Sequence, residues 1–595
     1  MLNVSAAFKT AIESSSRSVK GAVIVHFLGE QTHPFATATA TSQYDATTPP
    51  TQACNGRTGT TEHSCIGSMP ASLADPHKGW WSGQLSDADG NFATPEVLTV
   101  VHTNPILGGN FWLLGMIGYY PIDFLVERKV GGVWETVANV VGNTDHEWSA
   151  SSAVKLVEGT RLTITKIAPG LRTARIIQFG LVSTVVYEGA NVVDIVLLEE
   201  VSAETGHPLG SVSANECSVQ LINLDNRFTA RNINSPYYNM LLSSVKFQPF
   251  LGVETTPNVY DYVPLGNFFS GDWAAPSGSL EASLVGNDRL YSLMSKPVPE
   301  IPLALDTTIV ALFTSLFDAM GILNYYIDPT LTQAVPFGWV PTGNFGETTQ
   351  ALSTAGNCYV FVSKLDVLTV KALDNTLLPV AQFMDDSVIT VDNPQFGRNA
   401  HTSVSVNCYI PTVQKPEIIA ELTGITIPVG ETTFNNVKFT DGPVYKVSQV
   451  VLVGNDDARL VDFSWSPWSV TLKLLATIAD VVSVIVYGHR IIGTSTTVVQ
   501  NVNQNEGSTL SIESDLIQST TLAASYANII ASSLQDPLAM ILASVRGNPA
   551  VELLDVVTVS NESGKFPSVN AIVISSKLTF DGGLSAELNT KAVHA

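Results

Sequence analysis

From one end to the other, this chain is written in short runs of β-branched and aromatic residues, each closed by Gly, Pro, Asn or Asp. Ala22 to Phe27, Leu162 to Thr165, Val219 to Ile222, Val367 to Val370 and Val556 to Val559 are examples. Such runs between turn-forming residues read as strands. Repeated at this spacing, they point to sandwiches and barrels. The most apolar stretches, Ile195 to Leu198 and Val481 to Tyr487, have the length of buried strands and fall well short of a membrane-spanning helix. At 595 residues there is room for about three to five domains.

Two segments depart from the strand pattern. Between Thr307 and Met320 the apolar residues Ile309, Leu312, Phe313, Leu316, Phe317 and Met320 form the stripe of an amphipathic helix, with Asp306 as the expected N-cap. From Ser514 to Leu534 a second helix is expected, capped by Ser514 or Asp515, with Leu516, Ala523, Tyr526, Ala527, Ile530 and Leu534 on one face. Both stripes are read as packing against a sheet.

The charge balance narrows the function. With 53 acidic and 30 basic residues the net charge is -23, and phosphate backbones are repelled by such a surface. This argues against a nucleic-acid-gripping role, and the charge fits either plain solubility or an acidic lumen that DNA slides past. The N-terminus lacks the basic-then-apolar layout of a signal peptide. Five cysteines do not make a disulfide framework, so folding in a reducing cytoplasm is expected. Cys54, His63, Cys65 and His77 cluster in sequence, but their spacing matches no structural zinc pattern, and no metal is assigned.

Between residues 34 and 187 the composition shifts. Five of the nine tryptophans, Trp80, Trp81, Trp112, Trp134 and Trp148, fall there and mark a separate module. Residues 36–67 are rich in Thr, Ala, Ser and Pro and read mainly as loop. The order Ala38 to Gln43, Ala53 to Gly56, Gly79-Trp-Trp-Ser82, Pro95 to Val100, Pro121 to Glu127, Trp134, Val154 to Thr165 and Arg175 to Phe179 resembles the discoidin, or coagulation-factor type C, family, a galactose-binding-like jelly roll. The resemblance implies that loops at one end of the sandwich bind sugars, with rings stacking on pyranose faces. Trp134 and at least one of Trp80 and Trp81 are expected in the core. The exposed members of Trp80, Trp81, Trp112, Tyr119 and Tyr120 are expected as the stacking platforms.

With that module removed, Phe8 to Phe27 joins Tyr187, followed by Asn191 to Val196, Leu209 to Glu216, Cys217 to Phe228 and Ser235-Pro-Tyr-Tyr238. Gly266 to Phe269 with Gly271-Asp-Trp273, Leu280 to Leu290, the helix after Thr307, Asn357 to Phe361 with Asp366 to Val370, Arg546 to Pro549, Glu552 to Val559 and Ile572 to Leu584 continue the series. In this order they resemble the hub proteins at the tip, or baseplate, of phage tails. The implied organisation is mainly β and multidomain, with the β-barrels and β-sandwich of a phage tail hub, an inserted jelly roll and two amphipathic helices. Residues 1–33 give the first hub strands and 34–186 the inserted sandwich. The first barrel continues through 187–300. An α/β segment and the start of the second barrel occupy 301–380, and an extra β-rich domain 381–500, with Trp465 and Trp468 in its core. Residues 501–595 close the second barrel. The resemblance further implies a homotrimer, whose two barrels per chain adapt a sixfold tail tube to a threefold tip. Tail-tube or distal tail proteins and tip or fibre proteins would be its neighbours. It would reside in the virion after assembly in the host cytoplasm, a host surface glycan would be the module's ligand, and DNA would pass through without being gripped.

No catalytic residue and no cofactor is assigned. The chain has no H-E-x-x-H, G-x-S-x-G or Walker loop. Cys217 and Cys358 fall inside expected strands and are read as buried. Asp87, Asp89, Asp123 and Asp145 are read as turn or surface residues. The alternatives are a tail-associated enzyme cleaving glycans or cell wall with paired carboxylates, a free carbohydrate-binding protein unconnected with virions, and a module that only decorates or stiffens the tip.

Overall fold

The computed structural model describes the whole chain except residues 27–34, 45–78, 117, 168–169, 183, 202–211, 225, 230–231, 233–240, 242–244, 277, 373–376, 393–400, 455–456, 503–506, 535–539 and 594–595. Among the described residues the architecture is mainly β, in sandwich and half-barrel arrangements. A 14-stranded sheet gathers chain segments from both termini. One half contains Val19–His26, Thr184–Glu188, Val192–Glu200, Glu216–Ile222, Lys246–Thr256, Val259–Pro264, Phe268–Ala274 and Glu281–Asn287. The other contains Ala381–Phe383, Val388–Asp392, Met540–Val545, Val556–Asn561, Phe566–Phe580 and Leu584–Ala592. The halves join where Val192–Glu200 pairs antiparallel with Phe566–Phe580, Ile195 opposite Phe580 and Glu200 opposite Ser575.

The alternation along these strands explains the sheet. In Glu216–Ile222, Cys217, Val219 and Leu221 are buried and the residues between them face outward. One core runs through both halves, with Val23, Phe247, Leu251 and Leu284 from the first and Val545, Val557, Val573 and Leu578 from the second. The turn read at Asn223 to Asn226 is present: the Asn223 carbonyl accepts from the Asn226 N–H and its side chain accepts from the Phe228 N–H.

The α/β segment packs helices Ile309–Ala319 and Phe345–Gly356 on a sheet of Tyr325–Ile327, Cys358–Val362 and Leu368–Ala372. The first helix buries the expected stripe of Ile309, Leu312, Phe313, Leu316 and Phe317. Its cap is Thr308, which accepts from the Ala311 N–H, and not Asp306, which sits outside the helix at φ 48°. The second was not expected from the sequence. It carries a capping box, Asn344 with Glu347, and ends on Asn357 in the left-handed conformation. Helix Ala6–Glu13, capped by Ser5, was also unread; it buries Phe8 and Ile12 in the large core.

The extra domain differs from its expected bounds. Ala381–Phe383 and Val388–Asp392 belong to the large sheet. The domain proper starts at His401–Val413, which pairs along its length with the 22-residue strand Asp480–Asn501. It extends past residue 500, because Ser508–Glu513 runs parallel to His401–Val413 and helix Thr520–Leu534 covers both. That helix begins at Thr520 and not at Ser514, because Ser508–Glu513 is taken up as a strand and Leu516 turns into the α/β core. Trp465 and Trp468 are partly buried, and the Trp468 Nε1 donates to Val340 O at 2.9 Å.

The inserted module begins and ends at a paired strand couple. Val19–His26 and Thr184–Glu188 are antiparallel neighbours, His26 opposite Thr184, so the large sheet is continuous across the insertion. Between them seven strands form a separate sheet with its own core of Trp80, Leu98, Phe111, Phe124, Leu162, Ile164, Ile176 and Phe179. Phe35–Ala40, at the head of the stretch read mainly as loop, is one of these strands and pairs with Asn91–Gly115. Strands Asn91–Gly115 and Glu147–Ile167 pair over most of their length but break register between Val101 and Ile106. At that break both fold over, so each returns to the end of the module from which it started.

Candidate functional site

Because those two long strands double back, five connections meet at one end of the module: residues 41–44, 81–91, 116–121, 141–146 and 170–175. The Ser86 N–H donates to Arg172 O and the Ser82 N–H to Ala174 O, while the Ala174 N–H returns a bond to Ser82 Oγ at 2.9 Å. The Met116 N–H donates to Arg175 O and the Arg175 N–H to Tyr119 O. The Ile167 N–H donates to Gly90 O. Asp87 accepts from the Asp89 and Asn91 N–H groups, and these bonds, the Asn91 one first, hold its carboxyl below the usual range. The loops are thereby fixed to one another. The attachment to the large sheet lies at the other end of strand Arg175–Val182, about 23 Å away at 3.3 Å per residue.

Within these loops Arg175 is clamped between two rings. Its guanidinium carbon is 3.7 Å from the Trp81 ring centroid and 3.7 Å from that of Tyr119, so one ring covers each face. Arg172 also lies over Tyr119, at 4.9 Å, and Tyr44 tilts onto Trp81 at 5.6 Å. Each cation–ring contact stabilises by about 0.5–2 kcal/mol, more as water is excluded. Burial lowers the Arg175 guanidinium below its ordinary range, Tyr119 opposes that and neighbouring Arg172 adds to it.

The expected stacking residues therefore divide. Trp81 and Tyr119 come together, but as the jaws that hold an arginine: Trp81 is only 7% exposed. Trp80 is a core residue at 0% exposure, its Nε1 donating to Ser42 O, and cannot stack on a sugar. Tyr120 adjoins the cluster and ties the 141–146 loop through its hydroxyl to Thr144 O at 3.1 Å. Trp112 lies within the strand Asn91–Gly115, three residues before its end, opposite Ser149 and Gly180, and not in the loops themselves. Trp134, expected in the core, is half-buried on the sheet surface under Arg161 at 4.4 Å. Arg172, Arg175 and Tyr44 were not singled out from sequence. The available signal was Arg172-Thr-Ala-Arg175, two arginines ahead of a strand in a chain with few basic residues.

Elsewhere, Cys217, Cys358 and Cys408 are buried thiols, and burial pushes Cys217 and Cys358 far up. Asp123 accepts from the Gly142 N–H and Asp145 pairs with His146, as turn residues do. Cys54, His63, Cys65 and His77 lie outside the described residues. Among the described residues no cluster of three or more His, Cys, Asp or Glu could hold a metal, and no helix is long and apolar enough to cross a membrane.

No family model and no curated protein matches the chain. Among solved structures it is similar to the tail protein from Neisseria meningitidis MC58, at 10% identity over 79% of this chain and 96% of that chain, with a TM-score of 0.38. It is also similar to the 43 kDa tail protein of prophage MuSo2 from Shewanella oneidensis, at 10% identity over 68% of this chain and 94% of that chain, TM-score 0.38. A third similarity is to the family 32 carbohydrate-binding module of Streptococcus pneumoniae EndoD, at 16% identity over 25% of this chain and 97% of that chain, TM-score 0.19. Tail proteins and carbohydrate-binding modules are thus both among its structural neighbours.

Proposed function

We propose that the chain is a non-enzymatic structural protein of a phage tail tip, a baseplate hub whose inserted module attaches the particle to a host surface glycan. The ordered motifs outside the module support the hub, and so does the continuous sheet built from both ends of the chain. The observation that carries the adhesive role is the placement of the Trp81–Arg175–Tyr119 cluster. It occupies the loop end of a module whose entry and exit strands are seated in the large sheet, at the end away from that attachment. A surface so placed meets a cell before the body of the hub does.

In this reading three chains form a ring between the tail tube and the tip or fibre proteins. Its inner wall is net negative, so DNA passes without the Lys and Arg contacts that would hold it. A single loop-end site is weak, because ordering the sugar offsets most of the contact energy, and three linked copies raise avidity without new contacts. The test uses whole particles: their adsorption to host cells with Arg175→Ala and Tyr119→Ala variants, and the native mass of the hub assembly taken from them. Reduced adsorption with a trimeric mass is the expected result. Unchanged adsorption for both variants leaves a decorative module, and a stable monomer in an intact particle refutes the ring.

A further inference from the structure

We infer that the distal end of the module recognises an anionic sugar, one bearing a carboxylate or a phosphate, through the in-plane donors of Arg175 and Arg172. The inference rests on the glycan-binding reading above and adds the ligand's charge.

The argument begins with what is left over. A guanidinium carries five N–H donors in one plane. Of those on Arg175, Nε lies 3.4 Å from Thr173 Oγ1 and Nη1 lies 3.6 Å from Met116 Sδ, a weak acceptor. Arg172 donates through Nη1 to Gly118 O at 3.1 Å. Neither arginine has a carboxylate partner among the described residues. The module's other described arginines do: Arg128 pairs with Glu135, which Lys155 shares, and Arg161 pairs with Glu127 at 2.6 Å. Among the described residues, these two adjacent guanidiniums at the loop end are thus left without a carboxylate.

The clamp also decides how a ligand approaches. With Trp81 on one face of Arg175 and Tyr119 on the other, a sugar ring cannot stack on the guanidinium, and the inner ring faces are occupied. What remains is the guanidinium edge, whose parallel N–H pairs match the two oxygens of a carboxylate or phosphate. Arg172 stands beside the same tyrosine and adds a second positive charge. The bonds between the 82–86 and 172–174 segments hold both arginines in place before a ligand arrives, which reduces the ordering cost of binding. Neutral hydroxyls would use these donors too, but would leave the paired charge uncompensated.

The experiment measures binding of the full chain to surfaces carrying methyl galactoside, methyl galacturonide or galactose phosphate at equal density. The expected result is that one or both acidic conjugates bind about tenfold or more tighter than the neutral one. That preference should vanish in Arg172→Ala/Arg175→Ala and fall strongly in Arg175→Lys, which keeps the charge and loses the fork. Tryptophan-fluorescence melts of each variant verify that the module is folded. The better acidic conjugate tells carboxylate from phosphate. Equal binding of all three sugars, lost in Tyr119→Ala, overturns the anionic inference and leaves the glycan site standing. An acidic preference that survives loss of both arginines also overturns it. Binding to none of the three overturns both readings.

Discussion

Replacing Lys364 with Met should loosen the centre of the large sheet more than any surface change. The Lys364 side chain is 2% exposed and its ammonium lies 3.1 Å from the carboxylate of Glu199, itself 4% exposed. It also donates to the carbonyls of Pro549 at 2.9 Å and Val551 at 2.6 Å. One ammonium thus ties the strand Val192–Glu200, the hairpin of Cys358–Val362 and Leu368–Ala372, and the loop after Arg546. Methionine keeps most of the stem's volume and removes the charge and three bonds. Glu199 is left as a buried carboxylate without a counter-ion, and breaking one side of such a pair costs about 3–5 kcal/mol. Burial already pushes the Glu199 carboxyl up and Lys364 opposes that. Without Lys364 the carboxyl rises further and takes up a proton, so the deficit shrinks as pH falls. Adding Glu199→Leu removes the stranded charge and should recover most of the loss. Several domains do not unfold in one transition, so the readout is hydrogen exchange of amides in Val192–Glu200 and Phe566–Phe580. A loss of about 3 kcal/mol accelerates exchange about a hundredfold. Exchange within about threefold of wild type in Lys364→Met, at an energy of about 0.7 kcal/mol, or no recovery in the double variant, would refute the reasoning.

Other outcomes follow from the same structure. Asp288 is buried, its oxygens accept from the Asn215 and Leu290 N–H groups, and burial raises its carboxyl from 3.8 to about 7. The folded state then holds a proton that the unfolded state has released, so its contribution is full below about pH 4 and lost as pH rises through about 7. Relative to Asp288→Asn, the wild type should lose up to about 4 kcal/mol across that window; parallel pH–stability curves would contradict this. Gly79→Ala forces a side chain onto a residue at φ +78°, with the new Cβ 2.2 Å from Ile176 O. It should destabilise the module by about 2 kcal/mol or more while exchange in the large sheet stays unchanged. Residues 34–186 expressed alone should melt cooperatively, since the module has its own core and its flanking strands pair with each other; a broad, non-cooperative melt counts against it.

The fold was legible where a local pattern decides it. Alternation in Glu216–Ile222 and the 3.6-residue stripe of Ile309–Ala319 each follow from which face meets a core. The misreadings lie where a partner distant in sequence decides. Ser508–Glu513 was read just ahead of a helix beginning at Ser514, but His401–Val413 offers it a parallel edge, and the helix starts later. Ala381–Phe383 lies beside the extra domain in sequence and beside Val556–Asn561 in space. Helix Phe345–Gly356 escaped notice because Thr348, Thr349 and Ser353 fill its buried face, so no apolar stripe announces it; its capping box was the readable sign.

The site divided along a similar line. Aromatic residues near turns are read as platforms because a ring face suits a pyranose. The same face suits a guanidinium, and a sequence carries no record of which has been laid against it. Trp81 is flanked in sequence by Trp80 and Ser82, with nothing to indicate that Arg175, across the module's chain, fills its inner face. Once that contact is known, the ring loses its role as a platform and the arginine gains a fixed orientation. The chemical character of the loop end then moves from apolar stacking toward charge. The module's other described arginines, Arg128 and Arg161, have carboxylates close by, while Arg172 and Arg175 are held by rings and carbonyls.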